Sequence, residues 1–393
     1  MKKLLFLTAF FLGGMIFSAQ EAPFSLAQDL FNQEDADALG LLPAEGTETF
    51  TVFKAGEQGD RFCNGVVLAE FNGKLYCQWQ SSAKDEDAPD TKVVYSISED
   101  EGKTWSEPMV LAPTIKDGYR SSGGWLVNNN KLIAFINEWP ANVSPRGGFT
   151  YFSTSKDGKK WSKLKPVKMK DGKILDGIFE QDPHVLLSGS NAGRIINAAH
   201  FQKGLYVCPI YTDDPSGTSG WVKGTFTGKD SGSSTSVEME PSSFVNSEGK
   251  IVMVFRDQKG SYKKLASVSS NNGQSWSDAV LTEMPDARTK QCAGNLKTPD
   301  SKEGVAFMAG NPVNNKLRSP LAITLSKDGK IFDKAFLLRS GASDPEVVYE
   351  GKAKRKGFHY PKALVSDKYL YVAYATNKEL VDITRIPLKS LEY

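Results

Sequence analysis

Ser98-Glu99-Asp100-Glu101-Gly102-Lys103-Thr104-Trp105 decides the fold of this chain, because the stretch returns. Ser155-Lys156-Asp157-Gly158-Lys159-Lys160-Trp161 repeats it one residue shorter. Ser269-Ser270-Asn271-Asn272-Gly273-Gln274-Ser275-Trp276 repeats it in full, with Asn in the acidic slot, and Ser326-Lys327-Asp328-Gly329-Lys330-Ile331-Phe332 is short, with Phe for Trp. The copies start at 98, 155, 269 and 326, so the intervals are 57, 114 and 57 residues. The doubled interval predicts a missing copy at 212, where Thr212-Asp213-Asp214-Pro215-Ser216-Gly217 leads to Trp221. The chemistry is that of a turn: Asp or Asn accepts from backbone two residues on, Gly takes the positive φ, and Trp packs back onto the strands. A fixed long period with a turn at each node means repeated supersecondary units. The boxes date those units and carry no catalysis.

Outward from the boxes, each period reads as four short strands, three of them visible as apolar alternation. The first unit runs from Cys63 to Ala112, and the last begins at Tyr360 and is one strand short. Glu48–Phe53 alternates like a strand and is spare; pairing it with the last unit closes a ring and removes two open edges. The expectation is an all-β propeller of six blades, a seventh requiring a whole blade from residues 20–60. Residues 1–19 form a leader, 20–53 an N-terminal segment with the ring-closing strand, and 54–393 the propeller. Within residues 20–50, Leu26, Leu30 and Phe31 among acidic residues predict a short helix capped by Ser25.

Composition sets the compartment and excludes classes of partner. Met1-Lys2-Lys3, an apolar run from Leu4 to Phe17 and the small Ser18 and Ala19 make a bacterial secretory signal peptide, so a secreted or periplasmic protein is expected. No other apolar run reaches the length of a membrane span. The 48 basic and 46 acidic side chains leave a net charge of +2, which offers nucleic acid no bulk attraction. A monomer is the expected state. The turn Asn72-Gly73 sets Cys77 opposite Leu68 and Cys63 opposite Ser82, so free, buried thiols are expected rather than a disulfide.

In a propeller, first-strand starts, second-strand ends and third-strand starts converge on one face, and the boxes fall on the other. Reading these positions collects Arg61, Gln80, Asp85, Asp87, Arg120, Asp182, His184, His200, Glu240, Arg256, Arg318, His359 and Tyr360 at the mouth. All three histidines of the chain are among them. No ligand spacing argues for a metal and no cofactor is expected, a structural cation in the channel being left open.

The boxes, with Glu240 followed by Arg256 on the next strand and Tyr360 opening the last blade, resemble the sialidase superfamily. That resemblance implies Arg61, Arg256 and Arg318 as a carboxylate-holding triad, Tyr360 as a nucleophile assisted by Glu240, and Asp85 or Asp87 as the acid/base. Gln78-Trp79-Gln80-Ser81-Ser82, Asp85-Glu86-Asp87-Ala88-Pro89, Gln181-Asp182-Pro183-His184, Ala293-Gly294-Asn295-Leu296 and Phe358-His359-Tyr360-Pro361 resemble a narrower group of secreted propellers that attack L-rhamnose α-1,4-linked to D-glucuronate. That group is described as seven-bladed and includes α-L-rhamnosidases and lyases. Its hydrolases use a first-blade His on the opposite face; the matching position here is Asn64, which favours the lyase branch. The expected activity is therefore release of terminal L-rhamnose by β-elimination from an acidic oligo- or polysaccharide. Arg256 and Arg318 would neutralise the uronate, His184 or His200 would abstract the proton, and Tyr360 would protonate the leaving oxygen, with Glu240 orienting. Arg61, Arg120, Asp85, Asp87, Asp182, His359 and Gln80 complete the expected substrate-binding set. The alternatives are an exo-α-sialidase, an α-L-rhamnosidase and a non-catalytic glycan-binding propeller.

Overall fold

In the computed structural model, which describes residues 21–226, 239–298 and 303–393, six four-stranded antiparallel units surround one axis. Blade 1 is Phe62–Phe71, Lys74–Ser82, Lys92–Ser98 and Met109–Ala112, and blade 2 is Gly118–Asn128, Lys131–Pro140, Phe149–Ser155 and Lys165–Pro166. Blade 3 has a split first strand, Gly177–Phe179 and His184–Val185, both paired with Ile195–Phe201. Blades 4 and 5 open with Ser242–Val245 and Cys292–Asn295. In blade 6 the spare strand Glu48–Lys54 pairs antiparallel with Leu380–Pro387, so the ring closes as expected. The count of blades is six, which differs from the seven that the narrower resemblance implies.

The five box starts sit at third-strand ends, and the Ser98, Ser155, Ser269 and Ser326 Oγ atoms accept from the box glycine N–H at 2.8–2.9 Å. The inferred copy at 212 uses the same chemistry: Asp214 Oδ1 accepts from Ser216 N–H at 3.0 Å, and Trp221 Nε1 donates to the Gly217 carbonyl at 2.8 Å. Gly102, Gly158, Gly217, Gly273 and Gly329 take φ between +62° and +88°. Each also abuts the preceding blade. A Cβ on Gly158 would stand 2.0 Å from the Tyr76 hydroxyl, and one on Gly102 2.7 Å from Ile383 Cδ1. Main-chain need and close approach thus coincide at these glycines.

The core lies between blades rather than inside one. Trp125, Leu132 and Ala134 of blade 2 pack on Val67, Tyr76 and Tyr95 of blade 1, and a corresponding apolar cluster fills each of the other five interfaces. Cys63, Cys77, Cys208 and Cys292 are free and buried. Cys77 faces Leu68 as read from the turn, but Cys63 faces Ser81 rather than Ser82. The slip arises at a bulge between Asn64 and Val67, where Gly65 turns to φ +62°.

The short helix predicted in residues 20–50 is absent. Ser25–Leu26 instead pairs parallel with Ile331–Phe332, and Phe24 packs edge-on against Phe332 at 5.3 Å. Further along, Asp35 accepts from the Ala38 and Gly40 amides, and Leu39 takes φ +56°, a turn pattern that a helix cannot accommodate. The expected leader, residues 1–19, lies outside the described residues. No helix among the described residues is long and apolar enough to cross a membrane.

Candidate active site

The mouth is shaped by departures from strand regularity. Pro361 has no N–H to give the ladder, and the register between the first two strands of blade 6 slips between His359 and Lys362. The resulting bulge turns Tyr360 to φ +54° and presents it to the axis. Glu240 (φ +46°) and Asp87 (φ +58°) are held in the same sparsely populated region. Such backbone outliers persist only where surrounding structure over-determines them, and they gather at working sites.

A polar cavity of about 270 Å³ opens at this mouth, lined among others by Asn64, Gln80, Asp87, Arg146, Glu180, His200, Glu240, Arg256, Lys290 and Tyr360. Arg256 Nη1 donates to Glu240 Oε2 at 2.8 Å. Burial opposes the Glu240 charge, but Arg256 and Lys290 outweigh it and hold the carboxyl at about 2. Lys290 also pairs with Glu180. Arg318 stacks over the Tyr360 ring at 4.6 Å, while Lys290 and Lys378 each stand 5.4 Å from it. Burial disfavours the phenolate, yet Arg318 and Lys378 prevail and lower the Tyr360 pKa below that of an ordinary phenol. Asp87 behaves oppositely: burial lifts its pKa despite Arg146 at 2.9 Å.

His200 is buried at the mouth, with burial holding it neutral. Its Nε2 accepts from the Glu240 amide at 3.3 Å, so that lone pair is already engaged. His184 departs from expectation: it does not reach the mouth. The first strand of blade 3 begins at Gly177, so Ile178 opposes His200, whereas His184 opposes Ile196, four residues deeper along the second strand. His184 and Asp182 line a separate cavity of about 200 Å³ along the inner strands of blades 3 to 6. Asp182 is committed there to the Trp125 amide at 2.7 Å. Between the two cavities runs a web in which Lys362 Nζ donates to the Glu180 carbonyl at 2.6 Å and to Gln181, while Gln181 Nε2 donates to the Gln291 carbonyl at 2.9 Å.

Three further expected residues are engaged elsewhere. Arg61 donates to the Glu57 carbonyl at 2.7 Å and lies over the Tyr349 ring, so it does not complete a triad in the pocket. Arg120 is held by Glu138 (Nε to Oε1, 2.9 Å) and by the Pro113 carbonyl. Asp85 accepts from the Lys352 amide at 2.7 Å, which leaves Asp87 as the acid of that loop in the pocket. His359 is fully buried behind Tyr360 and bonds Arg318. Asn64, placed by the resemblance on the opposite face, lines the mouth and donates to Glu86 at 2.9 Å.

Sequence reasoning missed Glu86, Glu180, Lys290, Arg355 and Lys378. Burial, with Arg318 next, lowers the Arg355 pKa, which marks it as crowded by other cations around Tyr360. Glu86 and Lys378 form a pair at 2.7 Å. The signal for Glu180 and Lys290 was available: each directly precedes a Gln at a blade opening, Gln181 and Gln291. Among the described residues, no group of three or more His, Cys, Asp or Glu side chains is arranged to hold a metal.

Solved structures share this architecture. A sialidase superposes with a TM-score of 0.65 at 18% identity, over 93% of this chain and 35% of that one, so the chain spans about a third of that protein. The Hadza microbial sialidase Hz136 gives 0.66 at 14% identity, over 87% and 69%. The leech intramolecular trans-sialidase complexed with 2,7-anhydro-Neu5Ac gives 0.65 at 12% identity, over 88% and 71%. No curated protein matches the chain. Residues 73–372 match the BNR repeat-like domain, and on that match the chain belongs to the BNR repeat-like family.

Proposed function

We propose that this chain is a carbohydrate-active enzyme that works at the mouth pocket and cleaves acidic glycans, releasing terminal L-rhamnose from D-glucuronate by β-elimination. The observation that carries the reading is the setting of Tyr360, a single phenol ringed by Arg318, Lys290 and Lys378 within 4.6–5.4 Å of its ring. Elimination requires a neutralised carboxylate, a base for the C5 proton and an acid for the C4 oxygen. Arg256 lines the pocket, and its guanidinium is the group that would receive that carboxylate. In D-glucuronate the C5 hydrogen and the C4 oxygen lie on one face of the ring. One group can therefore take the proton and return it: the C5–H pair becomes the C4–C5 double bond, the C4–O bond breaks, and the proton leaves on the rhamnose oxygen. Tyr360, with its ionised form favoured by its neighbours, suits both halves of that exchange. The engaged lone pair of His200 and the depth of His184 argue against an imidazole base. The rhamnosyl-glucuronate substrate class rests on the sequence resemblance, and an extracellular or periplasmic monomer is proposed with it.

A second reading is an exo-α-sialidase in which Tyr360 attacks with help from Glu240. Asp87 favours it, because burial raises the pKa of its carboxyl, the direction that suits the acid of a hydrolase, and an elimination has no task for it. The experiment is incubation of the purified protein with rhamnosyl-glucuronate oligosaccharides and, separately, with sialosides. Release of rhamnose together with an ultraviolet-absorbing 4,5-unsaturated uronate supports the lyase. Rhamnose released without that absorbance, or sialic acid from sialosides, overturns it; binding without turnover of either leaves a glycan-binding propeller.

A further inference from the structure

His359 was expected to touch substrate, but it is fully buried and is bonded at both ring nitrogens. Its Nδ1 lies 2.7 Å from Arg318 Nη1 and its Nε2 2.9 Å from the Arg355 carbonyl. A guanidinium cannot accept and a carbonyl cannot donate, so the assignment is fixed: Nε2–H donates to Arg355 and the Nδ1 lone pair accepts from Arg318. The main chain holds Arg318 as well, since the Phe358 amide donates to its carbonyl at 2.7 Å. The Nδ1 bond reaches the guanidinium of Arg318, whose centre lies 4.6 Å from the Tyr360 ring centroid.

We propose that His359 is the positioning residue of the reacting phenol: as a neutral acceptor it fixes Arg318 in its stack on Tyr360 and ties both to the segment that carries Arg355. The choice of a neutral acceptor is the physical point. An aspartate or glutamate would orient the guanidinium as well, but it would also cancel the charge that Tyr360 feels. A buried imidazole orients without cancelling. Burial, and then the Arg318 charge, push the His359 pKa well below its usual value, so it keeps that neutral form. Other charges face Tyr360 too: Lys290, Lys378, Arg256 and Arg355 on the positive side, Glu240 and Glu86 on the negative. The Asn and Asp variants at 359 differ by one charge and leave those groups untouched.

The role of Tyr360 as reacting group rests on the function proposed above, whereas the tie between His359, Arg318 and the phenol does not. The test is therefore an alkaline absorbance titration of the purified full chain, with Tyr360→Phe subtracted to isolate one phenol. His359→Asn keeps a neutral acceptor and should leave the Tyr360 ionisation where it is. His359→Asp should raise it by about 1–3 pH units. Equal ionisation in the two variants overturns the proposal. Should His359→Asp fail to fold, Arg318→Gln removes the charge and keeps the imidazole. It should raise the phenol pKa by a similar amount, and no rise there also overturns the proposal. In turnover, the rising limb of the pH profile should move with the titrated value. A titration shift in a protein that cleaves no glycan upholds the tie and overturns the function.

Discussion

At the box face, four serines accept from four glycine amides at 2.8–2.9 Å, and the degenerate fifth copy finds the same turn with Thr212 and Asp214. At the mouth, the blades contribute different sets of residues. Blade 6 offers Tyr360 from a bulge, blade 4 offers Glu240 and Arg256, blade 3 offers Glu180 and His200, and the loop after the second strand of blade 1 offers Asp87. Both ends belong to the same strands. The box end carries a stability task that is the same in five of the six blades, so one local solution recurs. The mouth carries one site assembled from different blades, so each blade departs from the pattern in its own way.

That contrast breaks most sharply at Tyr360. Tyr360→Phe should lower kcat about 10²–10⁴-fold, the usual worth of proton transfer, with little change in melting temperature. A variant retaining normal rates would remove the phenol from the chemistry and with it the distinction between the faces. Arg256→Ala follows, at about 3–5 kcal/mol of transition-state stabilisation read from kcat/KM, because it also leaves Glu240 buried without its partner.

The converse experiment belongs to the boxes. Gly158→Ala forces a side chain into φ +71° and against Tyr76, so it should cost about 1–3 kcal/mol of stability in denaturant titration while activity per folded molecule is kept. Acid separates the two ends more gently. The folded Glu240 pKa is depressed to about 2, below its ordinary value of 4.5. Its stabilisation is therefore complete above the unfolded value and is lost as pH falls from there towards 2. Glu240→Gln should flatten that loss by about 1–3 kcal/mol. The smallest effect is expected at His184→Gln, which should leave kcat and KM unchanged, since the residue lines the deeper cavity. A lowered kcat there would return the imidazole to the mechanism.

The boxes were legible because their chemistry is local: Ser, Asp, Gly and Trp meet within one turn, and the spacing of 57 residues dated even the copy that had lost its Ser. The ring-closing strand was legible from the counting of edges. The mouth was legible in type but not in register. Glu180 to Pro183 interrupt the first strand of blade 3, so Gly177-Ile178-Phe179 was too short to read as its start and His184 took its place. Gly65 moved Cys63 by one partner for the same reason. The buried lysines were overlooked because a lysine is usually solvated. Lys290 and Lys362 are more than nine-tenths buried here only because Glu180 and Gln181, more than a hundred residues away, receive them.

The closure of blade 6 has a consequence for the order of synthesis. Glu48–Lys54 is translated before any blade exists, and its partner Leu380–Pro387 follows the other five blades in the chain. At about 5–20 residues per second, the first strand waits some tens of seconds with its edge unpaired. During that wait five blades can stack on one another as a growing open arc, each covering the apolar face of the one before. The sixth forms only when the strand made before the blades meets the strands made after five of them, so the ring closes last although its closing strand is made first.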